Sequence, residues 1–435
     1  MKKFIAIVIS TLFVLGLAAT AFAIHAEIPA ETQAVVAKGT TQITLGGSIR
    51  VRGDYRKNMD FNDDTASGDK SAWDQRTRLS TAVKVSDQVE GLVTIEAGTG
   101  DTDDVYVWGN PSDGASGVYQ RGNAKRGDLK LLEAWIQYTP DLVGVKIGHM
   151  PLALGNKVFF DHTKFGDDAL VLFKNIDNVH VAVLTSKFVE GTTSVADDAD
   201  AYVALLTYKG EGFNLSGDIT WVDDNFSFGS PADLYNIGVR GDVTVANFNV
   251  YGDVEFQTGS IEGVGGAPDL DFGGWAAQVG ATTKLNGVGL GLEFGYGSGD
   301  DNASDNDIDL YVTSLSPGIP YITYVHGTRA GNAGGGNGIS NITYVKGSVD
   351  SALMDNLTGK LDIVWLQASE DVVNGAGNTT DELGVEVDAY LKYKLARGLV
   401  YFVEAGYLFP GEAYDMASKS ADDAYAIRHG IELTF

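Results

Sequence analysis

Apolar and polar residues alternate along extended stretches of this chain. From Gln42 onward one face carries Ile43, Leu45, Gly47, Ile49, Val51, Gly53 and Tyr55, and the other carries Gln42, Thr44, Gly46, Ser48, Arg50, Arg52, Asp54 and Arg56. The same period returns over residues 248–257 and 383–395, where Leu383, Val385 and Val387 share the apolar face. A period of two is typical of a two-faced β-strand, and about 15 residues is far longer than the usual five or six. Such strands predict a barrel with lipid outside and water inside.

Short and long connections also alternate along the chain. Tight turns are expected near Asp87-Gln88, Pro140-Asp141, Asp177-Asn178, Gly210-Glu211, Ala246-Asn247, Asn286-Gly287, Asp355-Asn356 and Arg397-Gly398. Longer polar segments lie near 57–72, 99–128, 151–168, 188–199, 223–232, 259–271, 298–338, 370–381 and 410–422. This rhythm predicts an all-β fold, a transmembrane antiparallel up-and-down β-barrel of about 18 strands (16–18), with short periplasmic turns and long external loops. The stretches around Val171, Val203 and Ile342 alternate poorly. Among the loops, only 299–338 and 100–126 are roomy enough to fold into the lumen as a constriction.

Both ends of the chain fit an exported barrel. Lys2 and Lys3, the apolar run from Phe4 to Leu17 and Ala21-Phe22-Ala23 predict a cleaved signal peptide at 1–23. Residues 24–39 are expected to be a short periplasmic lead-in and 40–435 the barrel. At the other end, Gly430, Leu433 and Phe435 match the alternating, aromatic-ended signal by which outer-membrane barrels are recognised for assembly. We therefore expect the outer membrane of a Gram-negative bacterium, with membrane lipid and the barrel assembly machinery as partners.

Composition narrows the function. The 435 residues include no Cys, 31 basic and 58 acidic residues, for a formal net charge of -27. The absence of Cys excludes disulfides, thiolate metal sites and covalent haem attachment, and the acidic balance argues against nucleic acid as a partner. No cofactor is expected. The mean hydropathy of -0.03 by itself suggests a soluble protein. The same value is expected for a barrel, because it averages an apolar outer face, a charged lumen and polar loops.

The order of several short motifs resembles the alginate-export-type outer-membrane porins. These motifs are Arg76-Thr77-Arg78-Leu79, Glu133-Ala134-Trp135-Ile136, Val145-Lys146-Ile147-Gly148-His149, Ser298-Gly299-Asp300, Leu383-Gly384-Val385-Glu386-Val387-Asp388 and Phe409-Pro410-Gly411. The resemblance implies a monomeric barrel of similar strand number with a charged pore. Gly148-His149-Met150 departs from the Gly-Arg-Gln that this family often has at that position.

The charged faces of the strands supply the candidate pore-lining residues. Antiparallel pairing would place the basic residues of the first two strands side by side as a ladder. The expected pore-lining set is Arg50, Arg52, Arg56, Arg76, Arg78, Lys84, Glu96, Glu133, Lys146, Arg240, Asp253, Glu255, Glu386 and Asp388. Rows of opposite charge would set a transverse field that selects ions. The alternative is that these charges pair with neighbours and hold the strand register.

The acidic loops and the six histidines carry weaker signals. Asp305, Asp307 and Asp309 begin like a calcium-binding loop, but Leu310 and Ser316 replace the Gly and Glu that such a loop requires, so solvated acidic loops are expected and no metal site. Asp161, His162 and the nearby Ser186 are residue types that could together form a catalytic set. Nothing in the sequence fixes its geometry, and we expect no enzyme.

Two functions of different classes remain. The first is an outer-membrane porin, a water-filled channel for passive diffusion of ions and small hydrophilic solutes, or a more specific channel for an anionic solute or polysaccharide. The second is a barrel sheath around a multihaem cytochrome in an electron conduit, which would need a periplasmic or surface partner protein to supply every redox centre. Charged lumen residues favour the porin.

Overall fold

The computed structural model describes residues 34–38, 41–66, 68–98, 106–107, 128–192, 195–263, 267–302, 304–315 and 338–435. Eighteen strands form one closed antiparallel barrel, as predicted. In chain order they are β1 Thr41–Lys57, β2 Lys70–Lys84, β3 Val89–Gly98, β4 Asp128–Tyr138, β5 Gly144–Met150, β6 Asp167–Ile176, β7 Val179–Val189, β8 Ala199–Lys209, β9 Phe213–Asp224, β10 Ala232–Val245, β11 Phe248–Ile261, β12 Trp275–Leu285, β13 Val288–Gly297, β14 Ile342–Met354, β15 Leu357–Val373, β16 Thr379–Ala396, β17 Leu399–Pro410 and β18 Ala424–Thr434.

The barrel closes where β1 pairs with β18, from Ser48 opposite Thr434 to Lys57 opposite Tyr425. Ala34–Lys38 also forms a strand and pairs antiparallel with the first residues of β1, so part of the expected lead-in belongs to the sheet. The expected signal peptide lies outside the described residues. Among the described residues, no helix is long and apolar enough to span a bilayer. A 3-10 turn, Glu412–Tyr414, lies in the connection between β17 and β18.

All eight predicted tight turns connect consecutive barrel strands. At Asn286-Gly287 both residues have positive φ, 50° and 88°, as a two-residue type I′ hairpin requires. On the opposite rim the long loops fall where they were expected, with one difference. The connection between β15 and β16 is only 374–378, because these strands continue for 17 and 18 residues and so take up most of the predicted loop at 370–381.

Two β-bulges change which residues face inward. In β4 the pairing with β3 shifts between Thr94 opposite Glu133 and Ile95 opposite Leu131, which leaves Leu132 as the extra residue. In β16 the shift against β15 leaves Leu383 as the extra residue. Leu383 is fully buried, so its predicted place on the outer face with Val385 is wrong. A bulge inserts one residue and reverses the alternation beyond it.

Part of the inner wall is apolar, and an inward-folding segment covers it. Buried Ala169 and Val171 on β6, Ala182 and Leu184 on β7, and Ala201 and Val203 on β8 form one cluster with residues of the connection 151–166 between β5 and β6. That connection contributes Leu152, Leu154, Val158, Phe159 and Phe160, each no more than 3% exposed. The strands around Val171 and Val203 alternate poorly because both of their faces meet apolar surroundings.

The outer face of the barrel is a broad belt of exposed apolar side chains, which include Leu129, Ile136, Leu292 and Ile363, each more than half exposed. Aromatic rings also lie on this face: Trp221 stacks between Tyr202 and Tyr235, with ring centroids 4.9 and 6.1 Å apart. A continuous apolar surface of this extent is unfavourable in water and is matched to the hydrocarbon of a bilayer.

The first and last long loops pack against each other above the seam between β1 and β18. The rings of Phe61 and Tyr414 lie 4.3 Å apart. Lys419 forms ion pairs with Asp63, Asp64 and Asp422 at 2.7, 3.1 and 2.6 Å. The hydrogen bond from Lys419 lowers the pKa of Asp422. These contacts hold the two loops together at the end of the barrel opposite the tight turns.

The carboxyl terminus is built into the seam. The Phe435 amide donates to the Gly47 carbonyl at 3.0 Å, and the Gly47 amide donates to the Phe435 carbonyl at 2.7 Å. The Phe435 ring covers Gly47, where an added Cβ would lie 3.0 Å from the ring and 2.4 Å from the Arg78 carbonyl oxygen. Leu433 and Phe435 are partly exposed on the outer face. Gly430 is just as confined, because a Cβ there would lie 2.5 Å from the Val51 carbonyl oxygen.

We expect Gly47→Ala to lower the yield of folded barrel severalfold, because the added methyl forces the backbone of β1 away from β2 at a cost of about 1–3 kcal/mol. The fraction of protein with heat-modifiable gel mobility measures this yield. Gly347→Ala is the matched control, because a Cβ on Gly347 meets nothing within 4 Å. Equal yields for the two variants would contradict the prediction.

Candidate functional site in the barrel lumen

A basic ladder runs along the inner face of β1 and β2. Arg50 lies opposite Arg76 and Ser48 opposite Arg78 in the strand pairing, so the two rows of arginines are adjacent. Arg52, Arg56 and Lys70 extend this face toward the long-loop end, and Arg428 on β18 joins it at Asp54. The side chains of Arg52, Arg76 and Arg428 are 12–18% exposed, so their charged ends lie along a partly hydrated wall.

Carboxylates on the same wall bind most of these cations. Asp54 lies within 3.4 Å of Arg56, Lys70 and Arg428. Arg52 binds Asp74 at 2.8 Å, Arg76 lies 3.7 Å from Glu432, and Arg78 forms an ion pair with Glu96. Asp74 was not among the predicted residues, although it shares the period-two face of Arg76 and Arg78 and could have been found by extending that alternation by two residues.

Arg50 differs from the other arginines of the ladder. Among the described residues it takes part in no ion pair, and its buried Nε has no hydrogen-bond partner. It also faces Arg76 directly across the strand pair, where like charges repel. Glu432 lies opposite Arg50 in the pairing with β18 but forms its ion pair with Arg76, so Arg50 adds positive charge to the ladder without an ion pair of its own.

An acidic cluster lies on the facing wall. β10 is nine strands away from β1 in a closed ring of eighteen, so the two strands are diametrically opposed. On β10, Arg240 is 7% exposed and pairs with Asp218, with Asp253 at 3.5 Å and with Glu255 at 3.3 Å. All three carboxylate side chains are at most 1% exposed. One guanidinium holds three carboxylates, so the formal charge of this cluster is negative, opposite the ladder.

Further carboxylates lie on β13, β15 and β16, between this acidic wall and the ladder. Glu293 on β13 binds Lys346 at 2.6 Å and accepts hydrogen bonds from the hydroxyls of Tyr251 and Tyr344. Asp362 lies directly opposite Asp388 in the pairing of β15 with β16, and Glu386 is fully buried beside them. Lys360 binds Asp362 at 2.7 Å.

The remaining predicted residues lie on β2–β5. Glu133, 3% exposed, accepts a hydrogen bond from Trp135 Nε1 at 3.2 Å. Lys146 lies over the Trp135 ring, with its Nζ 3.9 Å from the centroid. Lys84 is half exposed at the end of β2 and pairs with Asp87 in the adjacent tight turn. These residues lie away from the ladder, toward the tight-turn end of the barrel.

The segment 151–166 crosses the lumen to the acidic wall. Its tip reaches β10 and β11, where the Asn156 amide donates to Asp253 Oδ2 at 2.9 Å. The Gly155 backbone packs on Arg240 so closely that a Cβ would lie 2.3 Å from the Arg240 side chain, and Gly155 has a φ of 51°. The expectation that only 299–338 and 100–126 were long enough to enter the lumen is therefore wrong. A shorter segment enters because its own apolar residues bury against an apolar wall.

A second segment packs beside the first. Ser314–Leu315 pairs in parallel with Phe160–Asp161, and the Gln257 side chain both donates to the Val312 carbonyl and accepts from its amide. This part of the predicted 299–338 segment does lie inside the barrel. Of the other expected constriction, 100–126, only Tyr106–Val107 is described, and it pairs with β2; the rest lies outside the described residues.

Two histidines hold the ends of the segment 151–166. His149 contacts Asp168 through Nδ1 at 2.9 Å and the Phe165 carbonyl through Nε2 at 2.8 Å. His162 contacts Asp167 through Nδ1 and lies 3.1 Å from the Ser314 hydroxyl. Asp161 instead accepts hydrogen bonds from Thr163, and the buried Ser186 hydroxyl has no partner among the described residues. The imagined set of Asp161, His162 and Ser186 is not connected as a catalytic triad.

The weak calcium candidates lie in an acidic loop. Asp305 accepts a hydrogen bond from the Asp307 amide at 3.0 Å, and desolvation together with Asp301, Asp307 and other acids raises the pKa of Asp309. Within the described ranges, no three His, Asp or Glu side chains converge as metal ligands.

An 18-stranded closed antiparallel barrel with a charged interior has the fold of the outer-membrane β-barrel porins. Among solved structures, the chain is similar to Acinetobacter baumannii OccAB4, with a TM-score of 0.58, 12% identity and coverage of 90% of this chain and 98% of that one. It is also similar to Pseudomonas aeruginosa OpdK with vanillate, with a TM-score of 0.55, 11% identity and coverage of 90% of this chain and 98% of that one. The comparison with Pseudomonas aeruginosa OccD3 gives a TM-score of 0.52 and 12% identity, with 93% of each chain covered. At such identities the likeness concerns the fold. No family model matches the sequence, the alginate-export family included, and no curated protein matches it.

Proposed function

We propose that this protein is an outer-membrane porin through which ions and small hydrophilic solutes diffuse passively. The observation that carries the proposal is the combination of an apolar outer belt with an inner wall that carries rows of charged side chains. Lipid outside and water inside account for both faces. Width is set where the segment 151–166 crosses the lumen, and the field is set by the opposed ladder and acidic wall. The proposal assigns no catalytic activity.

The basic ladder also supports a narrower version of this function, a channel that prefers anionic solutes. Arg50 contributes positive charge without an ion pair of its own, and one structural neighbour, OpdK, was crystallised with vanillate, a carboxylate. The alginate-type polysaccharide channel has less support, because the crossing segment obstructs the path of a bulky polymer. It also obstructs a cytochrome plug, so the conduit sheath is the weaker alternative.

Recordings from the purified full-length protein in planar bilayers test the proposal. Stepwise, voltage-independent conductance in KCl, together with swelling of protein-loaded liposomes in a small sugar, is the expected result. Liposomes that contain heat-denatured protein serve as the control. Insertion without any conductance, or haem absorbance that co-purifies with the barrel, would overturn the proposal in favour of a sealed barrel or a sheath.

A further inference from the structure

A cavity of about 270 Å³ lies on the inner wall of β8–β11, between the tip of the segment 151–166 and the tight-turn end of the barrel. Gly155, Asn156 and Arg240 border it toward the long-loop end, and side chains of four adjacent strands form its wall. Its volume is close to the lower end of small-molecule pockets, roughly 300 Å³. A solute that passes the crossing segment would therefore meet this cavity next.

The wall of the cavity offers closely spaced neutral hydrogen-bonding groups. The hydroxyls of Thr207 and Ser216 lie 2.9 Å apart across β8 and β9, and Asn214 donates to Asp242 at 3.0 Å. Asn249 and Tyr251 complete this wall. Hydroxyls and amides both donate and accept, and such a set matches a ligand whose own groups do the same.

The charges that line the cavity nearly cancel. Lys209 and Asp242 line it with opposite charges. Arg240 also lines it, but its guanidinium pairs with Asp218, Asp253 and Glu255, which lie behind the wall. No excess charge draws an ion of either sign into the cavity, and an uncharged solute avoids the cost of taking a charge out of water.

Arg240 forms a fixed border of the cavity. It is 7% exposed, its Nη2 is engaged by Asp218 and Glu255, and its Nε lies 3.5 Å from Asp253. Because three carboxylates hold the guanidinium, this side of the cavity keeps its shape.

We propose that this cavity is a binding subsite for a small, uncharged, polyhydroxylated solute of monosaccharide size. The hydroxyls and amides of β8–β11 bind its hydroxyl groups, and Arg240 bounds the cavity toward the crossing segment. The inference deepens the porin function proposed above and names a class of solute that pauses in the lumen after the constriction.

Saturation-transfer NMR on the detergent-solubilised full-length protein tests the subsite without any need for conduction. The probes are D-glucose, its carboxylate analogue gluconate and its ammonium analogue glucosamine. We expect transfer to D-glucose when aromatic protein resonances are saturated, because Tyr251 lines the cavity, and weaker transfer to the two charged analogues. In Thr207→Val/Ser216→Ala, the apparent dissociation constant for glucose should rise about fivefold or more.

Ser80→Ala/Thr94→Val is the matched control. It removes another cross-strand hydroxyl pair, 3.0 Å apart, from the part of the inner wall formed by β2 and β3, and it should leave glucose binding unchanged. Heat-modifiable mobility establishes that each variant is folded. No transfer to glucose, stronger transfer to gluconate, or equal losses in both double variants would overturn the subsite. If any of these results is found and the protein still conducts KCl normally, the subsite is rejected and the porin function stands. If glucose binds but the protein does not conduct, the porin function is rejected and the subsite stands.

Discussion

Replacing residues 151–166 by a four-residue Gly-Ser linker is expected to raise single-channel conductance about two- to fivefold. The segment crosses from β5 to the acidic wall, so its removal widens the lumen at that level. A short linker is sufficient, because Met150 lies directly opposite Asp167 in the pairing of β5 with β6. Single-channel recordings in 1 M KCl measure the change.

The same replacement should lower the thermal stability of the barrel. Leu152, Phe159 and Phe160 are nearly fully buried, and each such side chain contributes about 1.5–3 kcal/mol by burial. Their loss also exposes Ala169, Val171 and neighbouring wall residues to water. Removal of residues 225–229 from the connection between β9 and β10 is the control, because Phe226 and Phe228 there are half exposed and conductance should not change.

A point variant tests the role of the same segment if the deletion variant does not fold. In Gly155→Leu the new side chain would overlap Arg240 and would need a φ of 51°, which only Gly adopts readily. The tip must then leave the acidic wall, and we expect higher conductance with more current noise. If both variants conduct like the wild type, the segment 151–166 does not limit the pore.

The barrel itself could be predicted because each strand has one face toward lipid and the other toward the lumen. Period-two alternation marks the faces, and residues such as Asn286-Gly287 mark the turns, so strand order and closure follow from local signals. Neither signal reports on a bulge. The extra residues Leu132 and Leu383 look like ordinary members of an alternating run, and their orientation depends on the strand beside them.

The constriction could not be predicted because its signal is divided between distant parts of the chain. Val158-Phe159-Phe160 is an apolar run in a loop, and Val171 and Val203 are apolar residues on a lumen face. Taken separately, the apolar loop and the apolar lumen residues are local irregularities in the pattern. Taken together, they are two apolar surfaces that pack against each other. The poor alternation of the strands around Val171 and Val203 was the signal in the sequence that could have indicated this packing.

Removing the ladder's charge should shift ion selectivity toward cations. Arg76→Ala/Arg78→Ala by itself would leave the buried Glu96 without the two arginines that pair with it, which costs roughly 3–5 kcal/mol. The informative variant is therefore Arg76→Gln/Arg78→Gln/Glu96→Gln, combined with Arg50→Gln. It removes three positive charges and one negative charge from one wall and keeps polar side chains at all four positions.

In a tenfold KCl gradient we expect the reversal potential of this variant to move by on the order of 10 mV in the cation-selective direction, because rings and rows of charge set ion selectivity. The shift should shrink when both solutions are concentrated, since the Debye length falls from about 10 Å at 0.1 M to about 3 Å at 1 M. Lys84→Gln is the control. Lys84 is half exposed and paired with Asp87 at the tight-turn end, so its loss should barely change the potential. An unchanged reversal potential in a folded, conducting quadruple variant would mean that the ladder arginines hold strand register through their carboxylate pairs and that the acidic wall alone sets the field.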